Sequence, residues 1–502
     1  MGAVAAAVGA APGCTVSEIR DVLRTRGMVS ITSADVVAVL RRHAYRFRGD
    51  GGDPARWWPI DTDAVPPVGP AVVADAATPE LYRWQLEALE AWRNQHERGV
   101  VEAVTGTGKT MVGVVAATTE LARGGQVLVL VPTRELAEQW CRVLARHGPA
   151  TARVGRLGGG HRDDLGHHDI VVAVVNSARD TDLRPRRPGG LLVADECHRY
   201  GSTGNRVALH ATFPRRLGLS ATYARSDDGH VTWLDPYFGG TCYRVGYRRA
   251  ISDGIIAPFT VTLCGVELTA GERAEYGELT ILMSAARARL IASGHAPSGP
   301  IGAFFTAVAR LARSEHGEAT AAARSYLAAL QQRRRLLAET PAKTAVLGAM
   351  TPALRACDRA IVFTQSIAGA EQAAQQLRGL GLPAAAIHSQ LDAGSRRAVL
   401  ARFAGGDLHV IAAPQVLDEG IDVPAADLAV IVAASRSRRQ MIQRMGRVLR
   451  RKPDGRPASF IIVYATATVE DPALGAHEGF LDEITPVAAA VHHVSAGSLV
   501  SP

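Results

Sequence analysis

Lysine is nearly missing from this chain: of 56 basic residues only Lys109, Lys343 and Lys452 are lysines. Together with the richness in Ala and Gly this looks like a coding bias as much as a choice, so the arginine count alone says little about partners. Cysteine is sparse too. The six cysteines (Cys14, Cys141, Cys197, Cys242, Cys264, Cys357) show no Cys-x-x-Cys spacing and no metal-ligand pattern with histidine, which points to a reduced, intracellular chain without structural zinc. The pairs His167-His168 and His492-His493 read as loop histidines, because adjacent side chains point apart on regular structure and no further ligand lies at a useful spacing. No stretch reaches the ~18 apolar residues of a membrane span. The apolar run Met1 to Ala11 lacks a basic start and is broken by Gly9 and Pro12. These absences predict a soluble, unsecreted, cytoplasmic protein with no membrane contact.

What is present is size and apolar content. The 502 residues give roughly three domains at about 150 residues each, and 47% hydrophobic residues suffice for buried cores. A net charge of +8 favours a polyanionic partner over an acidic small molecule.

Residues 1–62 read as a separate module of two amphipathic helices, Thr15 to Arg26 and Ser33 to His43, followed by a hairpin around Gly49-Asp50-Gly51-Gly52. Helix, helix, hairpin is a winged-helix order. Thr15 and Ser33 stand where N-caps belong, and Glu18 completes a capping-box pattern with Thr15. Residues 63–80 form a linker with four prolines nearby, Pro66, Pro67, Pro70 and Pro79. From 81 to 262, and again from 346 to 485, short apolar strands alternate with helical stretches, the pattern of parallel sheets covered by helices. Residues 263–345 predict a helical insertion, and 486–502 a flexible tail.

The sharpest chemical signal is Thr105-Gly106-Thr107-Gly108-Lys109-Thr110, placed directly after a strand and before a helix. Such a turn presents backbone N–H groups and a helix N-terminus to phosphate oxygens. Lys109 adds a point charge for the β- and γ-phosphates, and Thr110 a hydroxyl for Mg²⁺. A phosphate cradle needs an acidic partner, and Asp195-Glu196-Cys197-His198 at the end of an apolar strand supplies two carboxylates: Asp195 for Mg²⁺ and Glu196 to orient and deprotonate the attacking water.

With these two segments the chain resembles superfamily 2 helicases, whose motifs follow in order across residues 81–465. Gln85 in Leu81-Tyr-Arg-Trp-Gln85 is similar to the adenine-reading Q motif. Thr133 and Arg134, opening Pro132 to Trp140, resemble the strand-contacting motif Ia, and Ser220-Ala221-Thr222 resembles the coupling motif III; His198, Ser220 and Thr222 are the coupling residues this implies. Thr364 falls in a motif IV-like segment. Gly420 and Asp422 fall in a motif V-like one, and Gln443, Arg447 and Arg450 in a motif VI-like one. The resemblance implies two RecA-like domains, ATP and Mg²⁺ as cofactors, and DNA as partner. Arg447 and Arg450 would stabilise transition-state charge when a cleft closes, and Gln443 would sense the γ-phosphate. Their spacing of four and three places these three on one helical face.

Within the superfamily the chain is most similar to the XPB-like and type III restriction-subunit-like group of duplex translocases and helicases. One departure is Tyr223, where that group commonly has Pro after Ser-Ala-Thr. No second, nuclease-like acidic constellation is visible. DNA repair or defence against foreign DNA are settings implied by resemblance. Two rivals stay open: an RNA helicase, and a nucleotide-gated binding switch with little turnover.

The accessory parts are ambiguous. Arg41 and Arg42, with Arg46 and Arg48, could meet DNA phosphates, or the module at 1–60 could dock a protein. Arg310, Arg313, Arg324, Arg333, Arg334 and Arg335 could track a backbone or form a solvated helix face. Trp57 and Trp58 could stack on bases or anchor a strand into its own core.

Overall fold

Continuous apolar runs such as Val127–Val131 and Leu191–Ala194, too short for helices and buried along their whole length, become parallel strands covered on both faces. The computed structural model describes residues 4, 7, 8, 14–25, 32–42, 47–49, 56–59, 81–225, 227–299, 301–315, 317–414, 426–432, 441, 442, 445, 446, 448–452 and 454–496. The chain divides into two compact units, one of Met1–Ala103 with Gly108–Arg249, the other of Ala250–Pro502 with the loop Val104–Thr107.

The first unit opens with strand β1 (Cys14–Thr15), helices Val16–Thr25 and Ser33–Arg42, and strands β2 (Phe47–Gly49) and β3 (Arg56–Pro59) in an antiparallel sheet of order β1-β3-β2. Ile19, Leu23, Val36 and Leu40 form its small core. The capping box at Thr15 is present: the Thr15 N–H donates to Glu18 Oε2 at 2.7 Å and the Glu18 N–H to Thr15 Oγ1 at 3.4 Å. The second cap is Thr32, not Ser33. Thr32 trades the same pair of bonds with Asp35 at 2.9 and 3.2 Å, while the Ser33 hydroxyl accepts from Arg20. A carboxylate three residues on selects Thr32, since Ser33 has Val36 there.

Eight further strands follow: β4 (Arg98–Ala103), β5 (Val127–Val131), β6 (Val154–Gly158), β7 (His161–Arg162), β8 (Ile170–Val174), β9 (Leu191–Asp195), β10 (Arg215–Ser220) and β11 (Thr241–Val245). They form one sheet of order β11-β4-β10-β9-β5-β8-β6-β7, parallel except for the β6–β7 hairpin.

The second unit holds β12 (Phe259–Val266), β13 (Ala360–Thr364), β14 (Ala384–Ala386), β15 (Val410–Pro414), β16 (Leu428–Ile431), β17 (Ala458–Ala465) and β18 (Ala490–Ser495), all parallel, in the order β14-β15-β13-β16-β17-β12-β18. The architecture is a pair of RecA-like α/β sheets.

Two boundaries differ from expectation. β12 runs through the predicted limit at 262/263, because Phe259, Val261, Leu263 and Val266 are buried and β17 pairs with the strand along its whole length. The tail expected to be flexible from 486 contains β18, whose Ala490–Ser495 pairs with Thr260–Gly265. His492 and His493 therefore lie on a strand, not in a loop. A strand with so few apolar residues becomes visible only through its ladder partner.

Helices Ala270–Ala292, Ile301–Ala312 and Glu318–Glu339 pack around Leu279, Met283, Leu290, Phe304, Val308 and Tyr326. Their arginines do different jobs. Arg333 is buried, donating to Thr280 Oγ1 at 3.1 Å with its guanidinium over the Tyr276 ring, and Arg324 donates to the carbonyls of Ala312 and Ser314. Those two close the helical bundle and are not a free basic face. No helix among the described residues is long and apolar enough to cross a membrane.

Candidate active site

The strand order brings the carboxyl ends of β4, β10, β9 and β5 side by side, the edge at which open parallel sheets bind ligands. β4 leads through Val104–Thr107 into helix Lys109–Ala122. Gly106 (φ 87°) and Gly108 (φ 85°) are both left-handed, which a side chain would strain, and a Cβ on Gly108 would also come within 3.1 Å of Gln85 Nε2. Thr107 Oγ1 donates to the Val104 carbonyl at 2.8 Å, closing the turn from inside. Lys109 Nζ donates to the Ala103 carbonyl at 2.8 Å. Burial pushes its ammonium below the usual lysine range, while the carboxylates of Glu196, Asp195 and Glu102 pull it back up. Thr110 follows in the first turn of the helix.

Gln85 sits in the first turn of helix Arg83–Asn94 and is buried. Its Oε1 accepts from the Tyr82 N–H at 2.9 Å and its Nε2 donates to the Gly108 carbonyl at 3.0 Å. The residue expected to read adenine is thus tied directly to the phosphate loop.

β9 delivers Asp195 and Glu196. Asp195 Oδ2 accepts the indole N–H of Trp140 at 2.7 Å and Oδ1 the Glu196 N–H at 3.0 Å. Burial raises the Asp195 carboxyl above its ordinary value, and the Trp140 donor and the Lys109 charge oppose that rise. Glu196 lies in the left-handed region at φ 49°, a conformation uncommon for a side-chain-bearing residue and one that turns its carboxylate off the strand. His198 Nδ1 is 3.4 Å from Glu196 Oε2 and 3.0 Å from Ser220 Oγ, and Ser220 Oγ also accepts the Thr222 N–H at 3.1 Å. The structure thus sets the partly exposed Glu196 carboxylate beside a buried, hydrogen-bonded set of His198, Ser220 and Thr222.

A hydroxyl at Thr110 and one carboxylate at Asp195 fit Mg²⁺, which is usually held by one or two carboxylates with nucleotide phosphates and water filling its octahedron. Among the described residues no group of three or more His, Cys, Asp or Glu could hold a metal.

Three residues escaped sequence reasoning. Trp140 is one. The others are Glu102 and Arg244: Glu102, buried in β4, accepts from Arg244 Nε at 2.8 Å and from the Tyr223 N–H at 3.0 Å. A carboxylate inside an otherwise apolar parallel strand was the available signal. Tyr223 also donates its hydroxyl to Asp235 at 2.8 Å. The bond from the Tyr223 N–H is one that Pro could not make. Tyr223→Pro is therefore expected to cost about 1–3 kcal/mol, read as a lower unfolding midpoint; unchanged stability would show that the bond is dispensable.

Thr133 caps helix Arg134–His147, its Oγ1 accepting from the Leu136 N–H at 3.3 Å, and Arg134 opens that helix. In the second unit Thr364 ends β13, but its hydroxyl is buried and donates to the Ser366 carbonyl at 3.1 Å, so it is engaged in the turn and not offered to a phosphate. Arg450, expected on one helical face with Gln443 and Arg447, is not itself helical. It lies past the helical residues, in an antiparallel bridge with Ile256, where the Ala257 N–H bonds the Leu449 carbonyl at 2.8 Å and holds the chain extended. Gly420, Asp422, Gln443 and Arg447 lie outside the described residues, as do the side chains of Arg41 and Arg42.

Residues 78–225 match the family of the type III restriction enzyme res subunit, and residues 342–452 match the helicase conserved C-terminal domain. Among similar proteins, the DNA 3'-5' translocase XPB2 of Sulfurisphaera tokodaii is 28% identical over 74% of this chain and 79% of its own length. The DNA 3'-5' helicase XPB of Mycobacterium tuberculosis is 26% identical over 77% of this chain. The chain spans 61% of that protein and 57% of a relative from Haloarcula marismortui. Of solved structures, S. cerevisiae Dbp5 bound to RNA and ADP BeF3 aligns with a TM-score of 0.53 at 14% identity, covering 84% of this chain and 94% of that one. The Type ISP restriction-modification enzyme LlaBIII bound to DNA aligns at 0.52 and 15%, covering 83% and 31%. These two likenesses speak for the fold. Together with the motif loops at the sheet edge, the two family matches and the relatives along most of the chain place it in superfamily 2 of the helicases.

Proposed function

We propose that the chain is an ATP-driven DNA motor, a helicase or duplex translocase moving 3' to 5', with DNA repair or defence against foreign DNA as its setting and the nucleoid as its place of work. The observation that carries this reading is the convergence of Lys109, Asp195 and Glu196 at the ends of β4 and β9, beside the buried link from His198 to Ser220. XPB-like relatives named for DNA translocation and unwinding support the substrate.

In this reading Gly106, Thr107, Gly108 and Lys109 cradle the ATP phosphates, with Thr105 beside them and Gln85 bracing the loop. Thr110 and Asp195 hold Mg²⁺, which neutralises phosphate charge. Glu196 takes the proton of the attacking water, and His198 couples its state to Ser220 and Thr222 of motif III. Gly420 and Asp422 in motif V, and Gln443, Arg447 and Arg450 in motif VI, retain the roles that their motifs suggest. Thr133 and Arg134 contact the strand through phosphates. The N-terminal module acts as a winged helix, meeting DNA backbone through Arg41 and Arg42 or docking a protein.

The test is steady-state ATP hydrolysis without nucleic acid and with single-stranded DNA, duplex DNA or RNA, each at two salt concentrations. DNA is expected to stimulate turnover, and the stimulation to fall steeply as salt rises, because phosphate contacts release counterions. Stimulation by RNA alone, or none at all, would replace DNA as the substrate or the motor as the mechanism.

A further inference from the structure

Trp140 is 1% exposed on helix Arg134–His147, and its indole is the side chain that reaches the Asp195 carboxylate, at 2.7 Å from Oδ2. The ring is hemmed in on its far side by the helix that follows the phosphate loop: a Cβ on Gly113 would stand 2.5 Å from Trp140 Cη2. On that side the ring has no room to move. The opposite carboxylate oxygen is held by the Glu196 N–H at 3.0 Å. A carboxylate torsion is otherwise broad and close to two-fold, so these two donors fix its plane. An indole N–H donates only and never accepts, so it favours a carboxylate acceptor.

We propose that Trp140 is a positioning residue for the nucleotide's metal: it holds the Asp195 carboxylate in the one orientation that leaves its remaining lone pairs facing the phosphate loop. This rests on the reading of Asp195 as the Mg²⁺ ligand. Partners that orient a metal ligand characteristically matter about 10–100-fold in metal affinity or activity.

The experiment measures Mn²⁺ affinity, by electron paramagnetic resonance, in the complex with a non-hydrolysable ATP analogue, together with analogue affinity in the presence of EDTA. Trp140→Phe keeps a ring in the pocket and removes the donor. It is expected to weaken Mn²⁺ binding at least tenfold while metal-free nucleotide affinity stays within about twofold, since Phe leaves the phosphate loop untouched. Unchanged Mn²⁺ affinity in W140F, an equal loss of metal-free analogue affinity in that variant, or a W140F chain that does not fold would each assign Trp140 to packing alone and overturn the proposal. Mn²⁺ affinity unaffected by Asp195→Asn would instead overturn the underlying reading of the metal ligand.

Discussion

Glu196→Gln is expected to lower ATP turnover by about two to four orders of magnitude while ATP and DNA still bind. The side chains are nearly isosteric, so the substitution leaves the left-handed backbone at φ 49° and the neighbouring His198 in place and removes the carboxylate that the proposed function makes the proton acceptor. Position makes the effect large. Glu196 follows directly after the last residue of β9, Asp195, so its carboxylate is set at the edge where the phosphate loop ends. Single-turnover hydrolysis and equilibrium nucleotide binding measure the two halves separately. A switch protein that used ATP only to set conformation would hydrolyse ATP equally slowly with either residue, and that result would favour the binding-module reading over the motor.

The largest effect on stability is expected at Lys343. Its ammonium, 1% exposed on helix Pro341–Ala349, lies 2.7 Å from Glu470 Oε2, which also accepts the Ala465 N–H at 3.2 Å. Breaking a buried pair from one side leaves an uncompensated charge out of water, and Lys343→Met should cost about 3–5 kcal/mol. The double change Lys343→Met with Glu470→Leu removes both charges and should recover most of that loss, because the pair is held at the expense of desolvating two ions. Denaturant unfolding followed by far-ultraviolet circular dichroism distinguishes the cases. A Lys343→Met protein as stable as the original, or a double variant weaker than the single one, would show that the pair is not the anchor described. The site is not part of the nucleotide machinery, so the expected loss is of fold and not of chemistry.

How far the sequence reached can be judged from particular residues. The turn at Thr105–Thr110 was legible because a tight link from strand to helix with left-handed positions asks for glycines at fixed places, and Gly106 and Gly108 stand there. Asp195 and Glu196 were legible because carboxylates at the end of an apolar run are conspicuous. The strands of both sheets that are buried on two faces announced themselves by composition. β18 did not, since its six residues include two histidines and a serine and it stands at a sheet edge. β12 went unread and a domain limit was set inside it, because its alternation of Thr with Val and Leu runs into a helical stretch without an obvious stop. Thr32 was passed over for Ser33, although the carboxylate of Asp35 decided between them.

By itself the sequence determined what local backbone geometry can carry: a glycine turn between strand and helix at Thr105–Thr110, a carboxylate pair, a capping box at Thr15 and the alternation of strand with helix. Tertiary structure alone decided which of these meet. Inserting β10 between β4 and β9 puts Ser220 level with Glu102 and Leu219 level with Asp195, and so brings His198 to Ser220 and Tyr223 to Glu102. The same order lets helix Arg134–His147 present Trp140 to Asp195 across 55 residues of chain. Strand order follows from how crossover helices bury their apolar faces over the whole sheet, a non-local sum that no window of sequence contains.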